Sequence, residues 1–233
     1  MGQREPFLAK GLLSRAVREA VEGDDALAEC LARGVANLSA MARHIRPSLE
    51  ARLGQRVKLQ SVVSALKRLR GAYAERERGH LSVLAKSSLD VRTDLAKLSV
   101  RAQAALSEEL QAKLLRHYRS ILQISWGPTA LTLVLEGAAF RVLRALFAKE
   151  DVLEAKEGLA AVVVRSPKDI IETPGCIAAL TERLARGGTN LEDIISTYTD
   201  TILVVSMSEV VRAFTLLSEL IAGARRALEE RHA

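Results

Sequence analysis

The sequence predicts an α+β protein, with an all-helical N-terminal part followed by two copies of one mixed strand–helix unit. Three observations predict it. Apolar residues recur at helical spacing through the first part, and strand-like alternation enters only from about residue 88. The later part repeats itself. LAKLSVR (95–101) matches LAAVVVR (159–165) at an offset of 64, and ISWGPTALTLVL (124–135) matches ISTYTDTILVVS (195–206) at an offset of 71. Charge divides along the same line, since residues 1–90 hold 16 basic and 10 acidic side chains while residues 91–233 hold 18 of each. The domain boundaries that follow are 1–85, 86–157 and 158–233.

Within 1–85, Phe7, Leu8, Leu12, Leu13 and Val17 mark a first amphipathic helix ended by Gly23. Asp24 or Asp25 caps a second helix that runs to about Arg33, and Asn37 or Ser39 caps a third, which Pro47 is expected to kink or restart. A fourth helix, VKLQSVVSALKRLRGAY, carries Val57, Leu59, Val62, Val63, Leu66, Leu69 and Tyr73 near a 3.6-residue period. The polar segment AERERGH (74–80) reads as a linker or frayed helix end.

From residue 88 the elements alternate. SLDVRTDLAKLSV has period-2 character, and ALSEELQAKLLRHY is helical, with Ser107 in its first turn. ILQISW and ALTLVLE are strands joined at Gly127-Pro128. AAFRVLRALFA is a helix, VLEAK a short strand, and LAAVVVR a central strand. PGCIAALTERLARGG is a helix stopped by Gly187-Gly188, LEDIISTY and TILVVS form a hairpin, and VVRAFTLLSELIAGARRALEER closes the chain as a helix. The two offsets differ by seven residues, which places an insertion between the first strand and the hairpin of the second copy.

With 233 residues and 48% hydrophobic content, the chain can bury a core. No apolar run reaches the ~18–20 residues that span a bilayer, and the charged start MGQREPFLAK lacks a signal-peptide core. Cys30 and Cys176 are far apart, which argues against a disulfide framework or a zinc site and fits a reducing cytoplasm. The sequence has no GxxxxGK[ST], GxGxxG, HExxH or GxSxG motif. The histidines at 44, 80, 117 and 232 have no metal-ligand spacing and read as surface residues. Cys176 at a helix start reads as a packing cysteine in preference to a nucleophile, although a helix dipole lowers a thiol pKa. The expectation is a protein that is not an enzyme and needs no cofactor or metal.

The most informative segment is SPKDIIETPGCIAALTERLARGGTNLEDIISTYTDTILVV (166–205). A long polar loop leads to Pro174-Gly175, which is expected to open the helix. The N–H groups of Gly175, Cys176 and Ile177 then suit a carboxylate. Asn190 with Glu192 or Asp193 offers an amide and a carboxylate for an ammonium group. Together these complement a free amino acid. The alternative is a plain longer turn with Asn190 as a left-handed residue after Gly187-Gly188.

The string TPGCIAALTERLARGGTNLEDIIST (173–197) resembles the ACT-domain signature, and the order βαββαβ is the ACT order. The resemblance covers about 88–222 and implies two ferredoxin-like ACT units, similar to the regulatory region of aspartokinases. The first copy lacks Pro-Gly and the long loop, and in the second a helix stands where the last strand is expected. The resemblance further implies that an amino acid binds where two units meet, at Asp169, Thr173, Gly175, Cys176, Ile177, Asn190 and Asp193. The kinase domain of aspartokinases has no counterpart in the short helical residues 1–85.

Residues 31–70 hold nine basic residues and one acid, Glu50. The helices at 38–53 and 57–73 are expected to form a helix-turn-helix-like pair, with a connection longer than the usual 3–4-residue turn. Lys58, Gln60, Ser61 and Ser64 would meet base edges, while Lys67, Arg68, Arg43 and Arg46 would meet phosphates. An all-helical dimerisation domain with a basic surface is the alternative. The function expected is an amino-acid-sensing regulator whose ligand adjusts DNA binding by a homodimer or larger homo-oligomer. The alternative is a free-standing allosteric subunit docking on a biosynthetic enzyme such as an aspartokinase.

Overall fold

A computed structural model describes residues 5–230, and the side chains of residues 5–10, 75–78, 118 and 121 lie outside that description. Phe7, Leu8 and His232, named above, therefore fall outside the described side chains. The chain divides into two compact units, Met1–Gly79 and His80–Ala233.

The first unit is helical, with α1 (Glu5–Glu22), α2 (Asp25–Ala32), α3 (Leu38–Leu53) and most of α4 (Leu59–Ala85). Asp24 caps α2 by accepting from the N–H groups of Ala26 and Leu27 at 3.0 and 3.1 Å. Asn37 caps α3 by accepting from Ser39 and Ala40, both at 3.1 Å, and Gly54 ends it at φ 64°. Two expectations are corrected. Pro47 does not restart α3, which runs unbroken through it. Pro47 and Arg43, whose carbonyl loses its helical donor, are both exposed, so water can take the donor's place. Residues 74–80 are not a linker, since α4 continues through them to Ala85. Ala, Glu and Arg favour a helix even without a buried face, and Val83 and Leu84 bury the turns that follow. Val17, Val21, Leu31, Ile45, Leu49, Val62 and Leu66 fill the core of this unit.

The second unit holds β1 (Ser88–Arg101), α5 (Glu108–Arg116), β2 (Ile121–Trp126), β3 (Ala130–Glu136), α6 (Gly137–Arg144), β4 (Val152–Arg165), α7 (Cys176–Arg186), β5 (Asp193–Thr197), β6 (Asp200–Ser206) and α8 (Val210–Glu229). The strands form one antiparallel sheet in the order β2-β3-β1-β4-β6-β5. VLEAK and LAAVVVR, read above as separate strands, are one strand of 14 residues, and β1 has the same length. Each long strand serves both repeats. In the first repeat, Leu95–Arg101 of β1 pairs with β3 on one side and with the first half of β4 on the other. In the second, Leu159–Arg165 of β4 pairs with β6 on one side, and Ser88–Arg92 of β1 lies on the other. The strand missing from the end of the second copy is thus replaced from the front of β1.

The handover falls at two positive-φ residues, Asp94 (55°) and Gly158 (72°), which are themselves 64 residues apart. The ladder register shifts between Arg92 and Leu95. Outer faces carry the helices. Ala96, Leu98, Val100, Leu131, Leu133 and Leu135 pack with residues of α5 and α6. Ala160, Val162, Val164, Leu203 and Val205 pack with residues of α7 and α8 and with Leu84. Leu95, Val134, Leu159, Ala161, Val163, Ile195, Ile202 and Val204 form a third buried cluster on the opposite face. Lys97 of β1 donates to the Glu192 carbonyl just before β5, at 3.2 Å, although β5 stands three strands away in the sheet. The two halves of the sheet therefore fold onto each other, with helices on both outsides. No helix among the described residues is long and apolar enough to cross a membrane.

Candidate functional site

The site expected from the sequence begins where β4 ends. Ser166 N–H donates to the Thr199 carbonyl at 3.1 Å, and Ala102 N–H in the first repeat donates to the Thr129 carbonyl at 3.0 Å. The connections then diverge. The first repeat reaches α5 in a short turn capped by Ser107, whose Oγ accepts from Leu110 N–H at 3.2 Å. The second runs through a 3-10 turn at Lys168–Ile171, closed by Thr173 Oγ1 donating to the Asp169 carbonyl at 2.7 Å.

Pro174 and Gly175 precede the helix and do not open it, which corrects the expectation. Gly175 is the N-cap, at φ 97° and ψ −14°, and its carbonyl accepts from Ala179 N–H at 2.9 Å. The helical first-turn donors are therefore those of Cys176, Ile177 and Ala178, and Gly175 supplies a backbone turn. A Cβ at Gly175 would lie 3.2 Å from His80 Nδ1. The Cys176 side chain is buried, and burial pushes its thiol pKa up against the smaller, opposite pull of its own backbone hydrogen bond. A side chain buried in this way packs in the core. Ile177 is 41% exposed beside it.

Asn190 and Asp193 lie elsewhere. Asp193 pairs with Val204, and Val204 pairs with Ala161, four residues before Arg165 where the loop starts. At a strand rise of ~3.3 Å, that is ~13 Å back along the sheet. The helix between the two sets, α7, has 11 residues, or ~16 Å of length. The fold therefore brings together Asp169, Thr173, Gly175, Cys176 and Ile177, and places Asn190 and Asp193 at the opposite end of α7. Asn190 is exposed and lines a cleft of about 570 Å³ with Ala178, Thr181, Glu182 and Ala185. Asp193 Oδ1 accepts from Ile194 N–H at 2.8 Å, and Glu192 Oε1 pairs with Lys156 Nζ at 2.7 Å. Asn190 is not a left-handed residue, for Gly188 takes that conformation at φ 71°.

One contact of this loop joins it to a helix distant in the sequence. His80, read as a surface residue, is half-buried against Gly175. Ser87, just after α4, shares a 3.0 Å hydrogen bond with Ser166. Arg225 of α8 donates to the carbonyls of Ala85 and Ser87 at 2.8 and 3.0 Å. The loop is thus held at both ends against the C-terminal end of α4. Only the demand at Gly175 for a residue without Cβ hinted at such a close approach.

In the helical unit, a five-residue turn, 54–58, separates α3 from α4. Lys58, Gln60, Ser61, Ser64 and Arg68 line one cleft of about 690 Å³, whose other wall includes Gly11, Leu13 and Ser14 of α1. Ser61 and Ser64 are half-buried there, and Ser64 Oγ donates to the Gln60 carbonyl at 2.8 Å. Arg43 and Lys67 are exposed, and Arg46 pairs with Glu50 at 3.8 Å. Among the described residues, no group of three or more His, Cys, Asp or Glu side chains is placed to hold a metal ion.

No protein-family model matches the chain, and no curated protein does. Similar solved structures include aspartate kinase from Clostridium acetobutylicum, at 12% identity over 57% of this chain and a TM-score of 0.48. The chain spans about a third (34%) of the length of that protein. The regulatory subunit of aspartate kinase from Thermus thermophilus is similar at 15% identity, over 57% of this chain and 95% of that one, with a TM-score of 0.45. The regulatory subunit from Thermus flavus is similar at 14% identity, over 59% and 98%, with a TM-score of 0.47.

Proposed function

We propose that the chain is an amino-acid-sensing regulatory protein, in which an amino acid bound by the two-repeat unit adjusts what the helical unit binds. The observation that carries this reading is the loop before α7. Gly175 turns the backbone so that first-turn N–H groups stand at an exposed surface beside Ile177, where they suit a carboxylate. Asn190 and Asp193 suit the ammonium end but lie one helix length away. The ligand therefore sits between two copies, the loop of one facing Asn190 of the other. The β5 edge strand, with Ile194 42% exposed, supports such an assembly.

The same loop touches the end of α4 through His80 and Ser87, and α4 begins beside the basic residues of the helical unit. A ligand that favours one loop position therefore favours one α4 position, with a coupling of ~1–3 kcal/mol. The output we propose is DNA binding through Arg43, Arg46, Lys58, Lys67 and Arg68, with Gln60, Ser61 and Ser64 beside them. The test is a gel shift at several salt concentrations, with and without each amino acid. A complex that weakens steeply with salt and responds to one amino acid supports the reading. Co-purification of a biosynthetic enzyme without DNA would instead support the free-standing regulatory subunit.

A further inference from the structure

We propose that the cleft between α1 and the start of α4 is a phosphate-binding site, taking a phosphate ester no larger than the cleft admits. Its volume, about 690 Å³, falls in the ~300–1,000 Å³ range of small-molecule sites. Among the described residues, three cations line it, Arg56, Lys58 and Arg68, and no carboxylate does. The nearby acids are engaged, Glu50 with Val57 N–H and Arg46, and Glu19 with Arg15 and Arg52. Arg68 Nη2 donates to Ser14 Oγ at 3.1 Å, which holds its guanidinium across the cleft toward α1. A fixed guanidinium beside the Ser14 and Ser61 hydroxyls offers the donors that phosphate oxygens accept. Leu13, Leu53 and Val57 give the cleft an apolar wall for the rest of the ligand.

Ser61 and Ser64 face this cleft, so a phosphate reaching it contacts α1 and α4 together. That phosphate comes either from a free phosphate ester or from a nucleic-acid backbone. The proposal rests on the helical unit binding anions, and it stands whether or not the two-repeat unit binds an amino acid.

The test uses the full chain with adenosine monophosphate and a 20-base-pair duplex as probes, followed by calorimetry. Lys58→Gln with Arg68→Gln is expected to weaken binding at least tenfold. Ser64→Leu, which fills the cleft and keeps every cation, is expected to do the same. Arg33→Gln, exposed and outside both the cleft and the proposed DNA contacts, is expected to leave binding within twofold. Displacement of the monophosphate by the duplex identifies a nucleic-acid phosphate as the source, and binding of the monophosphate alone identifies a free ester. Circular dichroism melting confirms that each variant is folded. The proposal is overturned if neither probe binds, or if binding survives Ser64→Leu in a folded protein.

Discussion

Gly175→Ala isolates the loop geometry on which the account of the site depends. The native φ is 97°, where an L-residue is disfavoured by ~1–2 kcal/mol. The new methyl would also stand 3.2 Å from His80 Nδ1, closer than ordinary van der Waals contact. His80 must shift by a few tenths of an ångström on a helix end already fixed by Leu84 in the core and by Arg225. The sum is a loss of ~2–3 kcal/mol, or a melting point ~4–12 °C lower for a unit of this size. His80→Ala separates the parts, because it removes the contact and leaves the backbone term. In that background the loss should fall to ~1–2 kcal/mol. Urea unfolding of the four proteins, followed by circular dichroism, measures the cycle. A loss below ~0.5 kcal/mol for Gly175→Ala would refute the backbone argument, and equal losses in both backgrounds would refute the His80 contact.

Other consequences are equally open to measurement. Gly158→Ala meets no atom within 4 Å at φ 72°, so denaturant unfolding should show only a backbone loss of ~1 kcal/mol, and less for Gly158→Asn. Lys97→Met removes a largely buried ammonium that bridges Glu154 and the Glu192 carbonyl, and the same assay should show a loss of ~1–3 kcal/mol. The Cys176 thiol has a pKa raised by burial above the ordinary 9.0. The folded protein then holds its proton where the unfolded chain gives it up. That contribution is fully present below pH 9 and is lost as pH rises through the folded value, and Cys176→Ala should remove this alkaline decline. Native alkylation at pH 8 should accordingly modify the exposed Cys30 well before Cys176.

Local signals were legible in the sequence where one residue decided a local outcome. Asp24 and Asn37 cap the helices they were expected to cap, and the Gly127-Pro128 turn joins β2 to β3. The repeat offsets located the second halves of β1 and β4 and the hairpins β2-β3 and β5-β6. The sharing of strands was not legible, because pairing between Ser88–Arg92 and Ala161–Arg165 joins residues that no local pattern links. The positive-φ pair Asp94 and Gly158 was a usable sign, since it falls just before the matched strings in both copies. At the candidate site, a glycine at 175 permits close approach, but the approaching group, His80, comes from a helix almost a hundred residues earlier, and no local pattern links the two. The separation of Asn190 from the loop follows from strand direction. β5 runs parallel to β4 with β6 between them, so it starts at the end where β4 also starts.

The central claim is that an amino acid binds between two copies of this chain, and calorimetric titration of the full chain with the twenty amino acids tests it most directly. One amino acid is expected to bind, Asn190→Ala and Gly175→Ala are each expected to weaken it at least tenfold, and mixing these two variants is expected to restore one working site per mixed dimer. Absence of binding by every amino acid at millimolar concentration would contradict it. So would binding unchanged by both substitutions.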